Sequence, residues 1–307
     1  MKKILVIKLG ALGDFIQALG PMRAIRNHHK NDYITLLTTA AFLKMSADCN
    51  YFNEVREDKK PKWYQFSEIM NLRRFFRSSC FDRVYDLQNN DRTNLYFKLF
   101  DPKPEWVGTA KGASHCNTSP QRIAGHAFDG HVQTLSLSGI NNVTTDTLDW
   151  MTGDVEKFGI GVPYAILVPG SSKKHPQKRW PAPYYADIAQ RLYEDGIVPV
   201  LIGGKEDRDV TNTIADLNKN TINLSEKTTL YDIASLARNA SVAIGNDTGP
   251  MHIITAAKCP TVTIYYTGEG GSDPVRHGTL GARVIKLSAD NLDELDPETI
   301  FQAIQGF

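Results

Sequence analysis

The sequence is poor in the features that mark membrane-spanning, nucleic-acid-binding and disulfide-rich proteins. Its 307 residues contain no apolar run of about 18 residues, so no transmembrane segment is expected. Lys and Arg number 35 against 34 Asp and Glu, and the resulting net charge of +1 argues against a nucleic-acid partner. The four cysteines are scattered, with no C-x-x-C pair, which indicates neither a zinc site nor a disulfide framework. A cytoplasmic protein is therefore expected.

What the sequence does contain is an alternation of strand and helix patterns in two successive halves. Such an alternation predicts parallel sheets covered by helices on both faces. Glycines and a proline interrupt the pattern at 154–163, which places an N-terminal Rossmann-like domain at 1–157 and a C-terminal one at 158–307. The predicted fold class is α/β, with two doubly wound domains that face each other across a cleft. Residues 111–130 lack periodicity and are predicted to be a long loop.

The first candidate site follows the first strand, where the chain reads K-L-G-A-L-G-D. Gly10 and Gly13 permit a tight turn and a close approach of another molecule to the backbone. The spacing fits neither the G-x-G-x-x-G dinucleotide motif nor a P-loop. Asp14 stands where the helix begins, either as its N-cap or as a side chain aimed at the carboxyl edge of the sheet.

Three segments of the second half end strands with residues suited to a nucleoside diphosphate. The first is L-V-P-G-S-S-K-K-H-P-Q-K-R-W-P, residues 167–181. Ser171 and Ser172 offer N–H and hydroxyl donors, and Lys178 offers a cation for phosphate oxygens. The alternative is a polar surface loop that leads into the next helix.

The second segment is L-I-G-G-K-E-D-R-D, residues 201–209. Its two glycines bring backbone close to a ligand, and Glu206 is placed to accept hydrogen bonds from ribose hydroxyls. Asp207 and Asp209 match the D-x-D pattern of metal-dependent sugar transferases. Acidic residues in the first turn of a helix explain that pattern more simply, so no metal site is expected.

The third segment is G-N-D-T-G-P-M-H-I-I-T-A-A, residues 245–257, and it is the most specific. A strand stops at its start, Asp247, Thr248 and Gly249 form the turn, and a proline opens the next helix. The free N–H groups of the turn lie where an anion binds. His252 lies in the first helical turn. Taken alone, Asp247 also fits an N-cap and His252 a histidine on the helix surface.

Together these motifs resemble glycosyltransferase family 9, the lipopolysaccharide heptosyltransferases, over nearly the whole chain. The matching motifs are A-L-G-D at residues 11–14, P-G-S-S…K-R-W-P at 169–181 and D-T-G-P-M-H at 247–252. Residues 265–281 resemble the family's G-x-T-x-P…G-P loop but carry glycines and a glutamate where the family has Gly-Pro-Thr.

The resemblance implies a GT-B fold and an inverting, metal-independent transfer of heptose from ADP-heptose to the inner core of lipopolysaccharide. It implies that Asp14 is the general base and that no cofactor is needed besides the nucleotide-sugar donor. Donor-binding positions implied by the motifs are Ser171, Ser172, Lys178, Glu206, Asp247, Thr248, Gly249 and His252.

A basic cluster in the first half is the candidate acceptor-binding surface. It comprises Lys59, Lys60, Lys62, Arg73, Arg74 and Arg77, of which Lys62, Arg73 and Arg77 are the chosen site residues. Arginine suits the phosphates and acidic sugars of an inner-core acceptor. The same cluster suits attachment to the inner face of the cytoplasmic membrane, where such an acceptor resides. A solvated helix face is the alternative.

Two other functions remain open from the sequence. One is a nucleotide-sugar epimerase of the same fold, although the L-G-D turn argues against it. The other is a binding module that holds a sugar nucleotide without transferring it. The presence of both Asp14 and Lys178 favours the transferase.

Overall fold

The computed structural model describes residues 1–161, 163–172 and 175–307. The chain forms two compact α/β units, Met1–Asp146 and Thr147–Phe307. The sequence predicts the boundary between residues 157 and 158. Residues 147–157 belong with the second unit because they bond to one of its helices: the amide of Gly153 donates to Ser235 Oγ at 2.8 Å, and Lys157 pairs with Asp232 at 3.0 Å.

The first unit is a parallel six-stranded sheet in the order β3-β2-β1-β4-β5-β6. Its strands are β1 (Lys3–Ile7), β2 (Tyr33–Thr38), β3 (Glu54–Glu57), β4 (Arg83–Asp86), β5 (Glu105–Gly108) and β6 (His115–Cys116). Its helices are α1 (Leu12–His28), α2 (Leu43–Asp48), α3 (Phe66–Ser78), α4 (Asp91–Leu99), α5 (Gln121–Ala124) and α6 (Ala127–Ser136).

The second unit is a parallel six-stranded sheet in the order β12-β11-β10-β7-β8-β9. Its strands are β7 (Tyr164–Val168), β8 (Val198–Leu201), β9 (Ile222–Asn223), β10 (Val242–Asn246), β11 (Thr261–Tyr266) and β12 (Val284–Ala289). Its helices are α7 (Ala182–Glu194), α8 (Arg208–Leu217), α9 (Leu230–Asn239), α10 (Gly249–Ala256) and α11 (Pro297–Gln305). None of the helices in the described parts of the chain is long and apolar enough to cross a membrane.

Both sheets have the doubly wound order, so the predicted α/β class with two doubly wound domains is confirmed. Numbered from its own first strand, each sheet runs 3-2-1-4-5-6, and its order reverses between the first and fourth strands. These pairs are β1 with β4 and β7 with β10, which are hydrogen-bonded neighbours. Ligands of such sheets bind beyond the carboxyl ends of this pair, which directs attention to the loops that follow these four strands.

The central strands explain why their sequences read as continuous apolar runs. Ile4 to Ile7 of β1 are fully buried, and every residue of β7 is buried, because helices cover both faces of each sheet. Trp106 and Trp180 are fully buried in the two cores. Each ring of that size removes a large apolar area from water.

The structure corrects one predicted feature of the fold and adds two helices that the sequence pattern does not indicate. The prediction of a loop at 111–130 is wrong, because β6, α5 and the start of α6 lie there. These elements are short and rich in polar residues, so they show little periodicity. Helices α4 and α11 were not predicted; α4 begins at a capping box formed by Asn90 and Thr93, a local signal that its mixed composition masks.

Candidate active site

A cavity of about 350 Å³ lies in the second unit at the carboxyl ends of β7, β8 and β10. Its size is within the range of small-molecule pockets. Four predicted donor-binding residues line it: Ser171, Ser172, Glu206 and Thr248. Its apolar lining is Val168, Ile202, Leu230, Ile233 and Pro250. An apolar wall beside polar loop atoms is suited to a nucleoside.

Asn246, the last residue of β10, holds the loop that follows β7. Its Nδ2 donates to the carbonyl of Pro169 at 2.8 Å, and its Oδ1 accepts from the Trp180 amide at 3.1 Å. Tyr185 OH also donates to Asn246 Oδ1 at 3.1 Å. The side chain is fully buried, its amide nitrogen donates and its amide oxygen accepts, so both amide atoms have partners. The loop is therefore positioned from inside the sheet.

Asp207 stabilises the loops that follow β7 and β8. Its Oδ2 accepts from the Gly204 amide at 3.0 Å, and its Oδ1 lies 3.3 Å from Arg179 Nη2. Arg179 also donates to the carbonyl of Ser171 at 2.8 Å, which joins the loops after β7 and β8. A Cβ at Gly170 would lie 2.4 Å from the Asp207 carboxyl carbon, so only glycine allows this approach.

Lys178 and Asp247 are joined through a third side chain. Lys178 Nζ donates to Ser272 Oγ at 3.1 Å, and Ser272 Oγ donates to Asp247 Oδ2 at 2.5 Å. Lys178 closes the short 3-10 turn Pro176–Lys178, and Asp247 follows β10. Neither residue lines the cavity, but Asp247 directly precedes Thr248, which does.

The amino end of α10 lies at the cavity, because Thr248 and Pro250 line it. Gly249 is the first helical residue, Pro250 the second and Thr248 the N-cap, although its side chain makes no capping bond. Thr248 Oγ1 is buried and has no hydrogen-bond partner among the described residues. Such an end attracts anions because its first N–H groups lack helical partners. The N-cap is thus Thr248 and not Asp247.

His252 is 7% exposed within the first turn of α10 and does not line the cavity. Its interpretation as a histidine on the helix surface is therefore wrong. Gly249 also lies outside the cavity lining. Half of the predicted donor-binding residues thus line the cavity, and the other half lie around the amino end of α10.

In the first unit, Asp14 is the third residue of α1 and is half-buried. The N-cap of α1 is Ala11, so the interpretation of Asp14 as the cap is wrong. Gly10 has φ of +121°, a conformation that requires glycine, whereas Gly13 lies inside the helix. The turn at Gly10 therefore sets the position of Asp14.

Several polar side chains lie around Lys8, the buried residue that follows β1. Burial lowers the pKa of Lys8, and the nearby carboxylates of Asp14 and Asp86 partly offset that effect. Burial raises the pKa of Asp86 to about 6. The backbone amides of Gln88 and Asn89 donate to its Oδ1 at 3.0 and 2.9 Å, and these hydrogen bonds partly oppose the rise. Lys8 Nζ also donates to the carbonyl of Leu87 at 3.3 Å. Lys8 thus lies close to the carboxylates of both Asp14 and Asp86.

His131 of α6 faces the same group. Burial lowers the pKa of its imidazole to about 3, and the positive charges of Lys8, Arg122 and His126 add to the shift. Its Nδ1 is buried and unpartnered within the described residues, as is Asp86 Oδ2. The sequence pattern singles out neither residue, because Asp86 is the last residue of β4 and His131 comes directly after the predicted loop at 111–130.

The predicted acceptor residues lie on or beside α3. Arg77 forms an ion pair with Asp101, and Arg73 is partly buried on the same helix. Lys62 precedes the helix, is exposed and lies 5.7 Å from the centroid of the Tyr64 ring. Arg73 and Arg77 lie on α3, Lys62 lies before its amino end, and Arg77 is committed to a partner.

Comparison with known proteins identifies the family. The model of "Glycosyltransferase family 9 (heptosyltransferase)" matches residues 135–302, more than half of the chain. Lipopolysaccharide heptosyltransferase 2 of Escherichia coli is 35% identical over 120 residues, which are 36% of this chain and 33% of that protein. In the first curated relatives, the similarity spans a third or less of their length.

Two solved structures share the fold over nearly the full chain. The glycosyltransferase family 9 protein of Veillonella parvula has a TM-score of 0.84 at 22% identity and covers 99% of this chain and 96% of its own. E. coli heptosyltransferase WaaC with ADP-2-deoxy-2-fluoro heptose has a TM-score of 0.76 at 17% identity and covers 99% of each. With the family model, the motifs and the shared GT-B fold in agreement, the chain belongs to glycosyltransferase family 9.

Proposed function

We propose that this protein transfers heptose from ADP-heptose to the inner core of lipopolysaccharide, with inversion at the anomeric carbon and without a metal ion. The observation that carries the proposal is the Lys178–Ser272–Asp247 group at the amino end of α10, beside a cavity of nucleoside size. Membership of the family supplies the reaction class, and an ADP-sugar analogue bound to WaaC supports the donor.

The second unit would bind the donor. The nucleoside would occupy the cavity, with Glu206 available to ribose hydroxyls and the Ser171–Ser172 loop beside it. The diphosphate would lie at the amino end of α10, where Thr248, Gly249 and the ammonium of Lys178 offset negative charge. Charge grows on the departing ADP, so these groups stabilise the transition state more than the ground state.

Asp14 would be the general base. It removes the proton from the acceptor hydroxyl as that oxygen forms a bond to the anomeric carbon, and the bond from that carbon to the ADP oxygen breaks. One displacement of this kind inverts the configuration. Lys8 lies close to Asp14, and the attraction between the two side chains helps to hold Asp14 in place.

The D-x-D pattern supplies no support for a metal site. Asp207 is engaged with Arg179 and the Gly204 amide, and Asp209 is an exposed residue of the first turn of α8. Lys178 and the helix end would supply the positive charge that a metal supplies in other transferases. We expect EDTA to leave turnover unchanged; activity lost on chelation and restored by Mg²⁺ or Mn²⁺ would overturn this part of the proposal.

The acceptor would be a lipid-linked inner core, reached by a cytoplasmic protein that is peripheral to the membrane. Lys62, Arg73 and Arg77 are the proposed contacts for its acidic groups. The Arg77–Asp101 ion pair would have to open for Arg77 to take part, so Arg73 is the stronger candidate.

An assay of ADP release tests the proposal against its rivals. Release of ADP from ADP-heptose that depends on an inner-core acceptor supports transfer. An epimerase would convert the sugar without releasing ADP, and a binding module would leave the donor intact, so either result would contradict the proposal. Nuclear magnetic resonance of the product gives the anomeric configuration and tests inversion separately.

A further inference from the structure

The loops that follow β1 and β4 meet at the switch point of the first sheet. The two strands are hydrogen-bonded neighbours, and Ile7 pairs with Asp86 at their carboxyl ends. Beyond the strands, the amide of Leu9 donates to Gln88 Oε1 at 2.8 Å, which joins the two loops. Lys8 lies between Ile7 and Leu9 and is buried. Its side chain is therefore enclosed where the chain passes from the sheet to α1.

Lys8 and Asp86 are opposite charges buried in this junction. Asp86 is fully buried; its Oδ1 accepts from two amides of its own loop, and its Oδ2 has no hydrogen-bond partner within the described residues. Lys8 Nζ uses one of its three N–H groups in the 3.3 Å bond to the carbonyl of Leu87. An uncompensated buried charge is strongly destabilising, so each of these two groups requires the charge of the other.

The same ammonium interacts with a second carboxylate, that of Asp14. Burial lowers the pKa of Lys8, and the carboxylates of Asp14 and Asp86 both oppose that shift. Asp14 differs from Asp86 because it is half-buried and lies in the first turn of α1. One buried cation thus connects a carboxylate inside the sheet with a carboxylate that is partly open to solvent.

The Asp14 side chain needs such a restraint if it is to act as a base. Helix α1 fixes its backbone, but the N-cap of that helix is Ala11, whose side chain offers no group to orient the carboxylate. A reacting group that is displaced by about 1 Å can lose about 100-fold in rate. The charge of Lys8 is therefore well placed to decide how effectively Asp14 works.

We propose that Asp86 is a positioning residue for the general base: it fixes the ammonium of Lys8, and Lys8 in turn orients the Asp14 carboxylate. Asp86 is fully buried and acts only through Lys8, without contact with a substrate. The inference rests on the proposed function, since it assumes that Asp14 removes the proton. It extends that function by giving the interior of the first sheet a part in the rate of transfer.

Asp86→Asn is the first variant to test. Asparagine keeps the shape of the side chain and an oxygen that accepts from the loop amides, so mainly the charge is lost. The kcat of acceptor-dependent ADP release should fall about 10- to 100-fold. ADP affinity, measured by titration calorimetry, should stay unchanged because the proposed donor site is in the second unit. Lys8→Met should lower kcat by a similar factor, and Lys8→Arg should retain more activity because it keeps the charge.

A double-mutant cycle separates positioning from stability. If Asp86 acts through Asp14, then Asp86→Asn should have almost no further effect on kcat in a protein that already carries Asp14→Asn. A role in stability alone would lower the Tm and leave the kcat of the folded protein unchanged. Circular dichroism and thermal unfolding of each variant give the folded fraction to which kcat is referred.

A charge-neutral variant keeps the inference testable where a single variant does not fold. Lys8→Met combined with Asp86→Asn removes both buried charges, so this protein should be more stable than either single variant. Its kcat should nevertheless stay low, because the cation that orients Asp14 is missing. Recovery of kcat together with stability would contradict the inference.

Asp146→Asn is the matched control. Asp146 is also a buried aspartate of the first unit, and it pairs with Arg23 of α1 at 3.5 Å. Arg23 follows Asp14 by nine residues, about 14 Å along the helix axis. This variant should lose stability and keep the wild-type kcat.

The outcomes distinguish this inference from the function on which it rests. Wild-type kcat in folded Asp86→Asn, or equal losses of kcat with and without Asp14→Asn, would overturn the positioning role and leave the transfer reaction in place. Wild-type protein that shows no acceptor-dependent release of ADP would instead overturn the proposed function itself.

Discussion

Ser272 Oγ accepts a hydrogen bond from Lys178 Nζ at 3.1 Å and donates its own proton to Asp247. Ser272 belongs to the stretch 265–281, the part of the chain that departs from the family pattern. This loop therefore fixes a cation and a carboxylate whose motifs are about 70 residues apart in the sequence. A single hydroxyl holds the ammonium of Lys178 near the amino end of α10, where the proposed diphosphate lies.

Lys178→Ala should weaken donor binding by roughly 10- to 100-fold, since a hydrogen bond to a charged group contributes about 1.5–3 kcal/mol. The turnover number should also fall, because charge on the departing ADP loses a partner. Titration calorimetry with ADP and steady-state kinetics measure the two effects. Lys219→Ala is the matched control: Lys219 is exposed and pairs with Asp216, three residues before it, so its loss should leave both quantities unchanged. Unaltered ADP affinity in Lys178→Ala would remove this lysine from the donor site.

Asp14→Asn should leave ADP binding unchanged and lower kcat about 10²- to 10⁴-fold, because only proton removal is lost. Asp129→Asn provides a matched control, since Asp129 is also an acidic residue in the first turn of a helix of the first unit but is exposed. The substitution also takes a negative charge from the surroundings of Lys8, so circular dichroism and thermal unfolding should accompany the kinetics. If a folded Asp14→Asn protein keeps most of its turnover, then Asp14 only balances the charge of Lys8, and another group is the base.

The sequence predicted the strands of both sheets well because a parallel strand covered on both faces is a continuous apolar run, as in β1 and β7. It also predicted which loops follow the strands at the switch points. It could not predict Asn246 as the residue that holds the loop after β7, because a buried asparagine at a strand end looks like any turn residue. Ser272 was equally hidden, since its partners come from distant motifs that meet only in the folded unit.

Arg73→Ala combined with Arg77→Ala should raise KM for the acceptor several-fold and leave ADP affinity nearly unchanged. Arginine pairs with phosphate and carboxylate groups through parallel N–H donors, so the loss affects acceptor binding. The two single variants separate the residues: Arg73→Ala should carry most of the effect, because Arg77 already pairs with Asp101. Kinetics with a soluble acceptor fragment exclude any contribution of membrane attachment. If the double variant has the wild-type KM for that fragment, the arginines do not recognise the acceptor.

The buried His131 should make the first unit sensitive to acid. An unfolded chain protonates this imidazole near pH 6.5, whereas the folded protein keeps it neutral down to about pH 3. The unfolded state therefore binds more protons in this window, and the free energy of unfolding falls as pH falls. Between pH 6.5 and 4 the loss should reach about 3 kcal/mol, at about 1.4 kcal/mol for each pH unit.

Comparison of His131→Gln with the wild type isolates this effect. Asp86 has the opposite effect on the pH dependence of stability, because its folded pKa of about 6 lies above its ordinary value of 3.8. Both proteins contain Asp86, so its contribution cancels in the comparison. Urea unfolding at pH 6.5 and 4 should show a shallower loss of stability in His131→Gln. His28→Gln, at an exposed position of α1, should keep the wild-type slope. Equal slopes in all three proteins would mean that His131 takes up a proton in the folded state, in contact with the charges of Lys8 and Arg122, and that its burial does not keep it neutral.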